Sequence, residues 1–347
     1  MFFGKKKFRL ASMIACGILA SALFTGCGGD SGSSGGGDKA AAGDEIVIGS
    51  NFELTGNHAQ YGANANNGLK LAIKEANDAG GVNGKMIKIV EADAKSEAAE
   101  SVNAATKLIS DDKVVALIGP AVTANVIAES QVATDNMIPV IGPAATNPDV
   151  TVENGEVKPY IFRACFIDPQ QSEVMAQFAS KDLNAKTAVL YLDSSSDYSK
   201  SLGKIVKQAR ELGITAAILG TDGWDDSKVI DIAGKDALNN TYFCTHYFEG
   251  DEEVQDFIKA YKGEYNNDPN VFAALGYDAG KMLINAIERG GDDSQKIRDN
   301  IETIKDLKVG TGVITMDAAT HNPIKGIVVI ETKDGVRELK AKIAPEG

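Results

Sequence analysis

Two short loops and one isolated carboxylate hold the residues of this chain best suited to chemistry. Gly119-Pro120-Ala121-Val122-Thr123 and Gly142-Pro143-Ala144-Ala145-Thr146-Asn147-Pro148 each follow a short β-rich run, and each puts a threonine at or near a helix start. Unpaired backbone N–H groups and the helix dipole favour an anion at such a place, so both loops suit a carboxylate. Thr123 and Thr146 equally suit plain helix caps, and each loop taken singly reads that way. Two such loops after successive strands of one sheet shift the balance toward a site. Further on, Asp222 stands between Gly220 and Gly223 at another strand end, an open position for a carboxylate facing an ammonium. Tyr198 closes the run Asp193-Ser194-Ser195-Ser196-Asp197 and can lay its ring on an apolar group. A helix-capping acid and a surface aromatic are the competing readings of these two residues.

Other chemistries find less support. There is no G-x-S-x-G elbow in the globular part, no H-E-x-x-H and no Walker A sequence. Gly29-Asp30-Ser31-Gly32 imitates a protease motif inside a low-complexity stretch. Gly80-Gly81-Val82-Asn83-Gly84-Lys85 follows a helix and precedes a strand, the wrong order for a dinucleotide loop, and reads as a helix C-cap and turn. His58, His246 and His321 lack metal-ligand spacing. No enzyme, cofactor or metal is expected.

The elements that must position these residues alternate. Strands are expected at Ile46–Ile48, Ile87–Val90, Val114–Ile118 and Ile138–Ile141, with amphipathic helices between them carrying Leu69, Ala72, Ile73 and Ala76, then Ala98, Val102, Ala105 and Ile109. Such βαβ units imply a parallel sheet covered on both faces. The run Tyr160–Phe166 leaves this lobe. A second series follows: helix Pro169–Leu183, strand Thr187–Leu192, helix Tyr198–Leu212, strand Thr215–Leu219, a short helix near Val229 and strand Thr241–Thr245. Helices over 251–266, 271–289 and 294–304 come next, then strands near Val313–Met316, Ile327–Glu331 and Val336–Ile343. The pattern is α/β: two Rossmann-like lobes with parallel sheets, the first over 45–163 and 249–312, the second over 164–248 and 313–347. Ligands in such sheets bind beyond the carboxyl ends of the strands.

The N-terminus has another purpose. Lys5, Lys6, Lys7 and Arg9 precede a short apolar stretch, Leu10 to Phe24, and Phe24-Thr25-Gly26-Cys27 reads as a lipobox. The stretch is too short to span a bilayer, so residues 1–26 are a lipoprotein signal peptide and Cys27 is the acylated first residue of the mature chain. Residues 27–44 form a flexible Gly/Ser/Ala/Asp tether. The protein is then extracytoplasmic and held to a membrane by lipid. Formal charge is −13, and −17 once the four signal-peptide cations are removed. With no Lys/Arg cluster after residue 9, a nucleic-acid partner is not expected. Of the cysteines left, export permits a Cys165–Cys244 disulfide, and two buried free thiols fit equally well.

The Gly49 to Gly62 stretch, Asn77 to Gly84, Ile118-Gly119-Pro120, Pro139 to Thr151, Tyr191 to Tyr198, Gln208 to Gly213 and Gly220 to Trp224 together resemble extracytoplasmic solute-binding proteins of the branched-chain amino-acid ABC transporter family. The likeness runs in order through nearly the whole mature chain. It implies a type I periplasmic-binding-protein clamshell, two lobes joined by a three-crossing hinge, which as a monomer closes over a small amino acid and delivers it to an ABC permease. It also implies roles. The Val122-Thr123 and Ala144-Ala145-Thr146 loops would hold the ligand's carboxylate and ammonium, and Asp222 would pair with the ammonium. Tyr198 would close from the second lobe, and Tyr61 would line the side-chain pocket. Asp222 stands where close relatives often carry Glu, which shortens its reach. Another small amide, urea or aromatic acid, or a sensory role, would suit the same fold.

One departure from the resemblance is large. Gly203-Lys204 runs straight into Ile205-Val206-Lys207-Gln208-Ala209-Arg210, where the family has further strands and helices. On the order of 50 residues, about two βα units, are expected to be absent, leaving the second lobe reduced. Leu202, Ile205, Val206, Ala209 and Leu212 still make one apolar helix face across the junction. A remodelled receptor and a degenerate, non-binding copy are both compatible with such a gap.

Overall fold

Short β-branched runs separated by amphipathic helices fold here as layered α/β structure. A computed structural model describes residues 45–189, 198–225 and 228–344, without the side chains of 198–202 and 228. The expected signal peptide, Cys27 and the tether lie outside the described residues. In chain order, the first series is β1 (Ile46–Phe52), α1 (Ala59–Asp78), β2 (Ile87–Asp93), α2 (Ala98–Ser110), β3 (Leu117–Ile118), α3 (Thr123–Asp135) and β4 (Val140–Gly142). A small hairpin of β5 (Val152–Glu153) and β6 (Glu156–Val157) precedes β7 (Ile161–Arg163). β1, β2, β3, β4 and β7 make one sheet in the order β2-β1-β3-β4-β7, every pairing parallel.

The second series is α4 (Asp168–Lys181), α5 (Tyr198–Glu211), β8 (Ile218–Gly220), α6 (Lys228–Ala233) and β9 (Thr241–Thr245). The chain then returns to the first sheet through α7 (Gln255–Tyr265), α8 (Val271–Gly290) and α9 (Ser294–Glu302), followed by β10 (Leu307–Val309), β11 (Gly312–Asp317) and β12 (Asn322–Ile324). It closes with β13 (Ile327–Lys333) and β14 (Val336–Ile343). The second sheet runs β14-β13-β9-β8.

Alternation places the side chains. On β9, Tyr242 and Cys244 face α4, while Phe243 faces α5 and α6, and β13 splits Ile327 and Val329 from Val328 and Ile330 in the same way. In the first lobe α1 packs on α8 through glycines. A Cβ on Gly68 would stand 1.9 Å from the Ala273 carbonyl, and one on Gly276 would stand 1.9 Å from that of Ala65. The close approach carries α8 onto the sheet core with Leu69, Ala72, Met282 and Leu283.

Three stretches join the sheets: 164–167, 246–254 and 325–326. They meet in the interior. Phe166 of the first stacks on His246 of the second at 3.7 Å and 11°, and the Lys325 ammonium of the third donates to the Ala164 carbonyl at 3.2 Å.

Several expectations change. The second sheet is mixed, because β13 runs antiparallel to both β9 and β14, and only β8 and β9 are parallel. β3 is shorter than Val114–Ile118 because the Val114 N–H bonds the Leu108 carbonyl at the end of α2. Of Thr187–Leu192, residues 187–189 form no strand and Val189 is 97 % exposed, while 190–192 lie outside the described residues. Leu212 was expected on the buried face of α5, yet it is 81 % exposed: it lies past the last helical residue, Glu211. The lobe boundary drawn at 312 falls inside β11, which pairs with β10 and β12 and touches α9. Cys165 and Cys244 are free, buried thiols.

Candidate functional site

The carboxyl ends of β3 and β4, neighbours in the first sheet, bring two loops side by side. α3 begins at Thr123, and Val126 one turn on packs with Ala145 in the same apolar cluster. Ahead of the helix, the Glu53 carboxylate accepts from the N–H of Ala121 (3.1 Å) and Val122 (3.2 Å) and from the Asn125 amide (2.8 Å). Glu53 is buried, and burial raises its pKa despite these bonds. The Val122 N–H is therefore engaged by the protein itself, and Thr123 and Ala124 carry the next N–H groups at this helix start. Of the β4 loop, the N–H groups of Ala144, Ala145 and Thr146 bond no other group among the described residues.

This loop is held from behind. Arg163, at the end of β7 and fully buried, donates to the carbonyls of Ala145 (2.6 Å), Asn147 (2.9 Å) and Pro148 (3.3 Å) and to the Thr151 hydroxyl (3.1 Å). Tyr61, in the first turn of α1, is half-buried and stacks on Phe272 at 4.3 Å and 12°, and both rings border the same apolar cluster as Ala144.

The second sheet supplies acid. Asp222 opens a 3₁₀ turn, Asp222–Trp224, directly after β8. The turn is fixed by Trp224, 5 % exposed, whose ring lies over Gly220: a Cβ there would meet it at 2.3 Å. The Asp222 N–H donates to Gln171 Oε1 at 2.9 Å, and burial pushes the carboxyl pKa up to about 6. His246 Nε2 stands 3.7 Å from Asp222 Oδ2, and burial holds its imidazole neutral. Asp168, at the start of α4, donates its N–H to the Thr146 carbonyl at 3.1 Å and accepts from the Gln171 amide at 3.2 Å, and its pKa is raised first by burial and then by the Asp222 charge. Thr146, Asp168, Gln171 and Asp222 thus form one connected group that spans both sheets.

Of the residues anticipated from sequence, Thr123, Ala144, Ala145 and Thr146 come to neighbouring strand ends of the first sheet, Asp222 comes to a strand end of the second, and Tyr61 borders Ala144 through the apolar cluster. Val122 is turned to Glu53. The backbone of Tyr198 opens α5, but its side chain lies outside the described residues. Sequence reasoning missed Glu53, Arg163, Asp168 and Phe272. The one signal for Arg163 was a charge inside the apolar run Ile161-Phe162-Arg163-Ala164-Cys165. No cluster of His, Cys, Asp or Glu able to hold a metal exists among the described residues.

Two layered sheets, three crossings and polar strand ends that face each other define a hinged binding protein. Residues 45–203 and 195–336 match the periplasmic binding protein family, and the chain belongs to it. Membership carries an extracytoplasmic location. The chain is similar to the branched-chain amino-acid transporter substrate-binding protein LivJ of Streptococcus pneumoniae, solved with isoleucine: 31 % identity, TM-score 0.76, covering 87 % of this chain and all of that one. A leucine-binding protein, LivK of Thermotoga maritima, is 30 % identical with TM-score 0.73, over 86 % of this chain and 99 % of that one. A Leu/Ile/Val-binding protein homologue of Brucella suis is 30 % identical over 271 residues, 76 % of this chain and 71 % of that protein.

Proposed function

We propose that this protein is an extracytoplasmic receptor that captures a small amino acid, of branched-chain type, by hinge closure and passes it to an ABC permease. The observation that carries the reading is a loop of amides without a partner among the described residues beyond one strand and a desolvated carboxylate beyond another. Thr123 and the Ala144–Thr146 loop offer donors to a ligand carboxylate, and Asp222 offers a desolvated acceptor to its ammonium. Burial disfavours Asp222 as an anion despite the hydrogen bonds around it, and an ammonium restores the balance, so binding and closure reinforce each other. Tyr61 and Phe272 give an apolar wall to an aliphatic side chain. The isoleucine bound to LivJ, at 31 % identity, supports the ligand class. No chemistry is done on the ligand.

Cys27 would anchor the chain by lipid, and Tyr198 would close over the ligand from α5. The second lobe is read as reduced by about two βα units. Two observations support this: the family match falls into two stretches that meet at 195–203, and Val189, Leu212 and Ile214 are exposed apolar residues. That exposure also favours the second reading, a copy that folds without binding.

Thermal melts with millimolar Leu, Ile, Val, Ala and Phe test the proposal. A ligand at 1,000 times its Kd adds about 4 kcal/mol of stability, a shift of several degrees. Aliphatic amino acids are expected to raise a sharp transition. A sharp transition that none of them moves would refute the ligand class, and a broad, ligand-blind one would favour the non-binding copy.

A further inference from the structure

Arg163 is a fully buried guanidinium whose bonding partners are three carbonyls and a hydroxyl, not a carboxylate. Its Nε has no partner among the described residues. Taking such a charge out of water costs several kcal/mol, which the neutral dipoles and the through-space attraction of the Asp168 carboxylate offset only in part. A hydrophobic residue at the end of β7, between Phe162 and Ala164, would fill the core without that cost. The arrangement calls for a reason beyond packing.

Peptide geometry supplies one. The Ala145–Thr146 bond is trans, so the Ala145 carbonyl and the Thr146 N–H point in opposite directions. Arg163 Nη1 draws the Ala145 carbonyl inward at 2.6 Å, which turns the Thr146 N–H away from the core. Nη2 holds the next carbonyls, of Asn147 and Pro148, and so prevents the loop from rotating back. The pairing Gly142↔Arg163 between β4 and β7 puts the guanidinium directly beneath this loop. Its positive charge stands behind the outward N–H in a low-dielectric wall, where it is screened less than a surface charge.

We propose that Arg163 is a positioning residue for ligand capture: it turns the Thr146 amide toward the cleft and backs it with charge, and so strengthens the hold on a ligand carboxylate. This rests on the amino-acid reading above. A purely structural arginine would set the stability of the Asn147–Thr151 turn and leave the Thr146 amide indifferent to ligand.

The test compares wild type, Arg163→Met, Arg163→Lys and Ile161→Ala, a buried core residue on the same strand that bonds no loop carbonyl through its side chain. Calorimetric affinity for isoleucine, apo melting temperature and the amide proton shift of Thr146 are measured for each. In wild type the Thr146 amide is expected to move downfield on adding isoleucine. Arg163→Met should lose about 10- to 100-fold in affinity, the effect of one hydrogen bond to a charged group, together with that downfield shift. Arg163→Lys, which keeps the charge but not the fork and guards against a Met variant that fails to fold, should fall between them. Ile161→Ala should lower the melting temperature while keeping affinity and shift. Folded Arg163 variants that bind like wild type, or a Thr146 shift that persists in them, would overturn the proposal alone. A wild-type protein that binds no amino acid would overturn the reading it rests on, and this proposal with it.

Discussion

The Lys325 ammonium on the third crossing donates to the Ala164 carbonyl on the first at 3.2 Å, and the same nitrogen lies 3.3 Å from the Asp278 carboxylate of α8. The Thr311 hydroxyl bonds both partners of this pair, so all the groups sit in one buried cluster beside the hinge. Burial raises the Asp278 pKa and lowers that of Lys325, each opposed by the attraction of the other. Two chain crossings are thereby tied to the body of the first lobe at a single point.

Breaking this tie on one side leaves an uncompensated buried charge. Lys325→Met is expected to lower stability by roughly 3–5 kcal/mol, read from the urea midpoint. Adding Asp278→Asn should recover much of the loss, because no buried charge then remains.

Ligand affinity should depend on pH through Asp222. In the free protein its pKa is raised to about 6, while the unfolded chain keeps the ordinary value near 3.8. The folded state therefore holds more protons between those values, and this residue's contribution to stability declines as pH rises from about 4 to about 6. A bound ammonium favours the carboxylate, so binding releases a proton below about 6. Affinity should fall as pH drops through that value, by up to about tenfold per unit below it. Titration calorimetry at pH 5 and pH 8 checks this, and Asp222→Asn should flatten the profile.

Gly220 is expected to be intolerant of a side chain. A Cβ there would press on the Trp224 ring and displace the turn that presents Asp222. Gly220→Ala should cost about 1–3 kcal/mol, by overpacking, and weaken isoleucine binding in the same variant. A melt and a binding isotherm of that protein provide the check.

Phe272 supports Tyr61 face to face. Phe272→Ala, at a partly buried position, should destabilise the protein by about 1–3 kcal/mol and should weaken larger aliphatic ligands more than alanine. Paired isotherms for isoleucine and alanine measure the difference.

The strand β9 is legible over all of Thr241–Thr245, because a five-residue β-rich run buried on both faces leaves little choice. The parallel first sheet is legible for the same reason, from strands that alternate with helices. Strand direction in the second sheet is not, because the third crossing delivers β13 antiparallel to β9, and no local pattern records that. The backbone donors of the proposed site were visible as glycine- and threonine-bearing loops after strands. What holds them was not. Glu53 and Arg163 act on amides and carbonyls far along the chain, and a sequence shows a buried charge only as an oddity in an apolar run. Leu212 misled because periodicity continues past the point where α5 stops.

The most direct test titrates isoleucine into the wild-type protein and into Asp222→Ala side by side. The account predicts saturable one-to-one binding to wild type and a loss of roughly 30- to 1,000-fold in the variant, as for removing one partner of a buried charge pair. Unchanged affinity in a folded Asp222→Ala protein would contradict the assignment of the ammonium site, and the absence of binding to wild type would contradict the account as a whole.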